Sequence, residues 1–135
     1  MFEQGLMAML SVATDPYLLF LIFVTTILGV VIGVLPGLGA TTGAALLLPF
    51  TLTMDPVHAI AVLATIYVSA TFAGSITAIL INTPGTSAAA ATTFDGYPLA
   101  QKGEAGRALG VAVISSTVGG VFSVIILCFA APLLA

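Results

Sequence analysis

Two short segments combine proline, glycine and hydroxyl side chains within apolar sequence, and their prolines lie 48 residues apart. Proline removes a backbone donor, and glycine adopts backbone angles that other residues avoid, so each segment should interrupt a helix. The first segment contributes Pro36, Gly37, Leu38, Gly39, Thr41 and Thr42, and the second contributes Asn82, Thr83, Pro84, Gly85, Thr86 and Ser87.

The chemistry that these segments favour is anion binding. An interrupted helix leaves the first N–H groups of the following segment without helical partners, and those amides carry the positive end of the helix dipole. Such helix ends bind anions without a buried Arg or Lys. No basic residue lies in any apolar segment of this chain. We therefore predict that the two segments bind a carboxylate substrate.

The same segments also offer oxygen atoms to a cation. Unwound carbonyls, together with the side chains of Asn82, Thr83 and Thr86, suit a small cation such as Na⁺. We predict no other metal site, and no cofactor apart from a coupling cation, Na⁺ or H⁺. The interpretation that needs no ligand is a pair of tight turns packed against other helices.

The elements that must position these segments are membrane helices. Hydrophobic residues make up 60% of the 135 residues and charged residues 5%, whereas about a quarter of a soluble domain is charged. We predict an all-α membrane protein with transmembrane helices and broken or re-entrant half-helices. Only Lys102 and Arg107 are basic, and a nucleic-acid-binding protein needs clustered basic residues.

Long runs without charge alternate with breaks along the chain. Asp15-Pro16 and Asp55-Pro56 each combine a good N-cap with a favoured first helical residue. Gly29 and Gly33 are spaced for the close approach of a neighbouring helix, although generic glycine explains them equally well. We predict an interfacial segment 1–14, a span 16–35, a half-helix 40–53, a span 57–81, a break 82–87, a polar loop 95–107 and a span 108–134.

Few other residues suggest chemistry. Asp55 and His58 would suit a proton relay or part of a metal site, but an N-cap followed by an interfacial histidine is the simpler interpretation. The sequence from Asp95 to Pro98 has the composition of a turn. The basic residues of the loop 95–107 place it on the cytoplasmic side. No nucleophile–base set is visible, so we predict that the protein is not an enzyme.

Several motifs occur in a fixed order over nearly the whole chain. They are Gly33-Val34-Leu35-Pro36-Gly37-Leu38-Gly39, Leu46-Leu47-Leu48-Pro49, Gly74-Ser75-Ile76-Thr77-Ala78-Ile79-Leu80, Asn82-Thr83-Pro84-Gly85-Thr86, Asp95-Gly96-Tyr97-Pro98 and Lys102-Gly103-Glu104-Ala105-Gly106-Arg107-Ala108-Leu109. Together they closely resemble the N-terminal part of the large membrane subunit of tripartite tricarboxylate transporters.

The resemblance implies a multi-pass protein of the bacterial inner membrane that forms part of a larger transporter fold. It implies secondary active uptake of citrate-like carboxylates, driven by a cation gradient. The implied partners are a small membrane subunit and a periplasmic solute-binding protein. The Pro-Gly motifs would then be the substrate site. Family members are several times longer, and this chain ends in apolar sequence, so we expect a fragment.

Two other functions remain open at this point. One is a membrane scaffold or assembly subunit that does not transport. The other is a pore formed by oligomers of the chain, although no span carries the charged residue that would form a ring around such a pore.

Overall fold

The computed structural model describes residues 7, 10 and 12–134, and within this part every regular element is helical. The elements are α1 (Pro16–Val34), α2 (Gly39–Thr51), α3 (Pro56–Ile81), a 3-10 helix (Ser87–Ala90), α4 (Thr92–Gln101) and α5 (Ala105–Leu134). Three helices are long and apolar enough to cross a membrane, namely Pro16–Val34, Pro56–Ile81 and Ala105–Ala130. The predicted fold class, an all-α membrane protein, is confirmed. The interfacial segment predicted for residues 1–14 falls mostly outside the described residues.

Helices α1 and α3 begin in the same way. The Asp15 carboxylate accepts hydrogen bonds from the backbone N–H groups of Tyr17 and Leu18, and the Asp55 carboxylate accepts one from Val57. A proline follows each aspartate, where the missing N–H would have no helical partner anyway. These caps satisfy the amides that would otherwise be exposed at the start of each helix.

Helices α1 and α3 run parallel and in close contact. Their first turns are joined by His58, which lies 3.3 Å from Asp15. Towards its other end α1 approaches α3 through two glycines, and an added Cβ on Gly33 would overlap the backbone of Ala70. Such an approach is possible only for small residues. Gly29 and Gly33 therefore allow the close packing of α1 against α3.

Helix α2 returns from the end of α1 to the start of α3. Its 13 residues measure about 20 Å, which is shorter than a hydrocarbon core of about 30 Å. The reversal before it occupies four residues, Leu35 to Leu38, with the Leu38 N–H donating to the Leu35 carbonyl. Gly37 and Gly39 have φ angles of 98° and 46°. These angles are strained for any residue with a Cβ, so the turn depends on its glycines.

The second break folds back against α1 and α3. Asn82 ends α3 in the left-handed conformation, with φ 56°, and its N–H donates to Thr77. The Gly85 N–H then donates to the Gly74 carbonyl. An added Cβ on Gly85 would overlap the Gly33 carbonyl and come within 2.9 Å of the Gly74 Cα. Three glycine backbones therefore meet where α1, α3 and the break touch.

The turn predicted from Asp95 to Pro98 is wrong, because all four residues lie inside helix α4. Gly96 is buried against α3, and an added Cβ there would lie 2.7 Å from the side chain of Ile79. Two factors oppose a helix here: the composition favours a turn, and Pro98 has no N–H for a helix hydrogen bond. The packing of Gly96 against α3 outweighs both. The chain then reverses at Gly103, with φ 83°, and α5 begins at Ala105.

Candidate functional site

The two Pro-Gly segments border one open cavity of about 280 Å³. Helix α3 separates them in the sequence and forms the wall between them. Eight of the twelve predicted site residues line this cavity: Gly37, Leu38, Gly39, Thr41, Thr42, Gly85, Thr86 and Ser87. Segments far apart in the chain are thus brought together, as a shared ligand site requires.

Four of the predicted residues do not line the cavity. They are Pro36, Asn82, Thr83 and Pro84. Asn82 serves as the left-handed cap of α3, and the Thr83 hydroxyl donates to the Ile81 carbonyl at 3.3 Å. Of the side chains predicted as Na⁺ ligands, only Thr86 borders the cavity. The Gly85 N–H is already paired with Gly74, so it is not a free donor for an anion.

The hydroxyl groups around the cavity fall into two kinds. The Thr71 hydroxyl donates to the Tyr67 carbonyl at 2.7 Å, as threonines in helices commonly do. Within the described part of the chain, none of the hydroxyls of Thr41, Thr42, Thr86 and Ser87 donates to a protein acceptor. The Thr86 oxygen is moreover buried. The cavity therefore collects donors that the protein itself leaves unused.

Sequence reasoning missed Tyr67 as a site residue, although it lines the cavity and is half exposed. Tyr67 and Thr71 stand four residues apart on α3 and hence on the same face. The available signal was this spacing within a span that carries several hydroxyl side chains, namely Thr65, Ser69, Thr71, Ser75 and Thr77. Both residues lie about 17–23 Å from the start of α3, near the middle of a helix about 39 Å long.

The electrostatic character of the cavity comes from the backbone. Among the residues that the structure describes, no charged side chain lines it. Helix α2 begins at Gly39, and no side chain in this part of the chain caps that end. Its first amides therefore have no partner earlier in the helix, and they carry the positive end of the dipole. This arrangement can bind an anion with neutral donors alone.

A second polar cluster lies at the starts of α1 and α3, well away from the cavity. His58 Nε2 is 3.3 Å from Asp15 Oδ2, and His58 Nδ1 is 3.6 Å from Asp55 Oδ2. The Tyr17 ring packs near the imidazole, with 5.6 Å between centroids. Among the described residues no group of three or more His, Cys, Asp or Glu is arranged to hold a metal ion. Asp55 is an N-cap, and His58 follows in the first turn.

The pKa of Asp15 is lowered from its ordinary value of 3.8, chiefly by the hydrogen bond from the Leu18 N–H. Desolvation opposes this effect, and the Tyr17 N–H and His58 lower the pKa further. A lowered folded-state pKa means that the ionised carboxylate stabilises the fold above pH 3.8 and that this stabilisation is lost as the pH falls through the lowered value.

We expect Asp15→Asn to melt a few degrees below the unmodified protein at pH 7, because asparagine keeps the N-cap and loses the charge. Thermal melting in detergent from pH 7 to about pH 3 measures this difference, which should shrink in the acid range. A difference that stays constant across that range would show that the charge of Asp15 is not responsible.

Comparison with known proteins places the chain in a family. Residues 19–135 match the tripartite tricarboxylate transporter TctA family. The chain is also 49% identical over 113 residues to an "uncharacterized 52.8 kDa protein in TAR-I ttuC' 3'region" of Agrobacterium vitis. That alignment covers 84% of this chain and 22% of the relative, so the chain spans about a fifth of the relative's length. No solved structure matches. The chain belongs to the TctA family of tripartite tricarboxylate transporters.

Proposed function

We propose that this chain forms one side of the substrate site in the membrane component of a tripartite transporter, and that the substrate is a citrate-like carboxylate. Uptake across the bacterial inner membrane would be driven by a Na⁺ or H⁺ gradient. A periplasmic binding protein would deliver the substrate, and a small membrane subunit would complete the assembly. Helix α2 would act as a re-entrant half-helix that carries its amide end to mid-membrane depth.

The observation that carries this proposal is the meeting of both Pro-Gly segments at one cavity with unused donors. A carboxylate accepts hydrogen bonds and donates none when ionised. It therefore needs N–H and O–H groups that are not already paired, and the N-terminal end of α2 and the hydroxyls of Thr41, Thr42 and Ser87 supply them. A neutral site also avoids the cost of burying a Lys or Arg in the membrane.

The sharpest test of an anion site compares two threonines that line the same cavity. Thr42→Val removes a hydroxyl without a protein partner, and Thr71→Val removes one that already donates to Tyr67. A hydrogen bond to a charged ligand contributes about 1.5–3 kcal/mol. We therefore expect Thr42→Val to raise the KM of citrate uptake about tenfold or more and Thr71→Val to change it less than about twofold. The assay uses cells that express the complete transporter with its partner proteins.

The two rival functions predict other results. A scaffold without a site predicts that both variants alter assembly, measured by co-purification of the small subunit, and leave KM unchanged. A pore predicts conductance across bilayers in the absence of the binding protein. Equal KM changes for the two valine variants would contradict anion binding by free hydroxyl donors.

A further inference from the structure

One carboxylate stands out among those that the structure describes. Asp15 and Asp55 cap helices and contact His58. Glu104 pairs with Arg107 at 2.9 Å. Asp95, in contrast, has neither a hydrogen bond nor an ion pair within the described chain. It lies in the first turn of α4, a position that suits an acidic side chain, and its oxygens are available to a ligand.

Asp95 lines a second cavity, of about 610 Å³, between α3, α4 and α5. This cavity is separate from the one between the Pro-Gly segments, and the two share no lining residue. Both α3 and α5 are candidate membrane spans. The Asp95 side chain is exposed where it borders the opening between them. A carboxylate without a partner is costly in a membrane, and such groups commonly mark ion pathways.

Three hydroxyls around this second cavity are free. Ser75, Thr92 and Ser116 line it, and none of them donates to a protein acceptor within residues 12–134. Their neighbours in the sequence behave differently. Thr93 donates to the Ala90 carbonyl at 2.7 Å, and Thr117 donates to the Val113 carbonyl at 2.8 Å. Helices α3, α4 and α5 thus each contribute one uncommitted oxygen to the cavity that holds Asp95.

We propose that this second cavity binds Na⁺, with the Asp95 carboxylate as the charged ligand and the oxygens of Ser75, Thr92 and Ser116 as neutral ligands. Hard cations are bound by oxygen ligands. One carboxylate with one monovalent cation gives a neutral complex, which lowers the electrostatic cost of the site between two spans. The charge of Arg107, which also borders the cavity, is already countered by Glu104.

This site would bind the cation whose gradient drives the proposed uptake. Its role in coupling rests on the proposed function. It places the cation away from the carboxylate substrate. The cation and the substrate would then communicate through α3 and the second break, because Gly74 contacts Gly85 and Thr86 of the first cavity while Ser75 faces the second.

The experiment measures ²²Na⁺ binding to the purified full-length protein, with choline replacing Na⁺ as the blank. We expect saturable binding that Asp95→Asn weakens at least tenfold and Thr92→Val weakens several-fold. The matched controls are Asp55→Asn, which alters the carboxylate that caps the start of α3, and Thr93→Val, which alters a hydroxyl already bonded to the Ala90 carbonyl. Both controls should bind Na⁺ like the unmodified protein.

Two results would overturn the assignment: no saturable Na⁺ binding by the unmodified protein, or unchanged binding by Asp95→Asn. If Asp95→Asn does not fold, the comparison of Thr92→Val with Thr93→Val decides the question in the same way. Citrate uptake is measured in parallel. Na⁺ binding without citrate uptake would refute the proposed function and leave the cation site standing. Citrate uptake without Na⁺ binding would refute the cation site alone.

Discussion

Thr41→Asp should abolish carboxylate uptake at ordinary substrate concentrations while leaving the protein folded. Thr41 is exposed, lines the first cavity and is the third residue of α2. At about 5 Å from a bound carboxylate and an effective dielectric constant of about 20, the added charge costs about 3 kcal/mol. That free energy corresponds to a loss of affinity of about a hundredfold. An acidic residue in the first turn of a helix is otherwise stabilising.

The matched control for this variant is Thr41→Asn, which has the size of aspartate without its charge. It should lower the affinity only a few-fold, as the loss of one hydroxyl would. The measurement is the concentration dependence of citrate uptake, with melting temperature as the check on folding. Unimpaired uptake by Thr41→Asp would show that the substrate does not approach the start of α2, and the site assignment would be wrong.

Gly33→Ala should destabilise the protein more than a glycine-to-alanine substitution at the other glycines that the structure describes. The new Cβ would overlap the carbonyl of Ala70 on α3, which is backbone and has no rotamer to move away. Overpacking of this kind costs about 1–3 kcal/mol, and more where backbones must separate. The Gly33 carbonyl also faces Gly85, so separation of α1 from α3 would shift the second break as well.

Gly106→Ala is the matched control, because an added Cβ at Gly106 of α5 meets nothing within 4 Å. Alanine is favoured over glycine inside a helix by about 1 kcal/mol, so this variant should be neutral or slightly more stable. Thermal unfolding in detergent measures both. Equal melting temperatures for the two variants would contradict the close contact between α1 and α3.

The parts of the fold that the sequence predicts best are those governed by local chemistry. Asp15-Pro16 and Asp55-Pro56 predict the starts of α1 and α3 because an aspartate cap and a proline act within one turn. The glycines at positions 37 and 39 predict the first reversal because their φ angles are restricted almost to glycine. The resemblance carried by the motifs agrees with the family match over residues 19–135.

The features that were missed depend on contacts between elements. The helix from Thr92 to Gln101 forms against α3 through buried Gly96, which no local preference reveals. Tyr67 lines the cavity because α3 lies next to both Pro-Gly segments. Asn82 and Thr83 belong to a polar segment that suits a ligand, yet Asn82 caps α3 and the Thr83 hydroxyl donates to the Ile81 carbonyl. Composition cannot distinguish a hydroxyl that binds a helix carbonyl from one that is free.

The two walls of the first cavity differ in how closely they are packed. On one wall Gly85 is fixed between two backbones, those of Gly33 and Gly74, and its N–H is hydrogen-bonded to the latter. On the other wall Gly37 and Gly39 have nothing within 4 Å of the position where a Cβ would stand. One wall is thus packed between two backbones and the other is open, so we expect any change in the width of the cavity to come from the turn between α1 and α2.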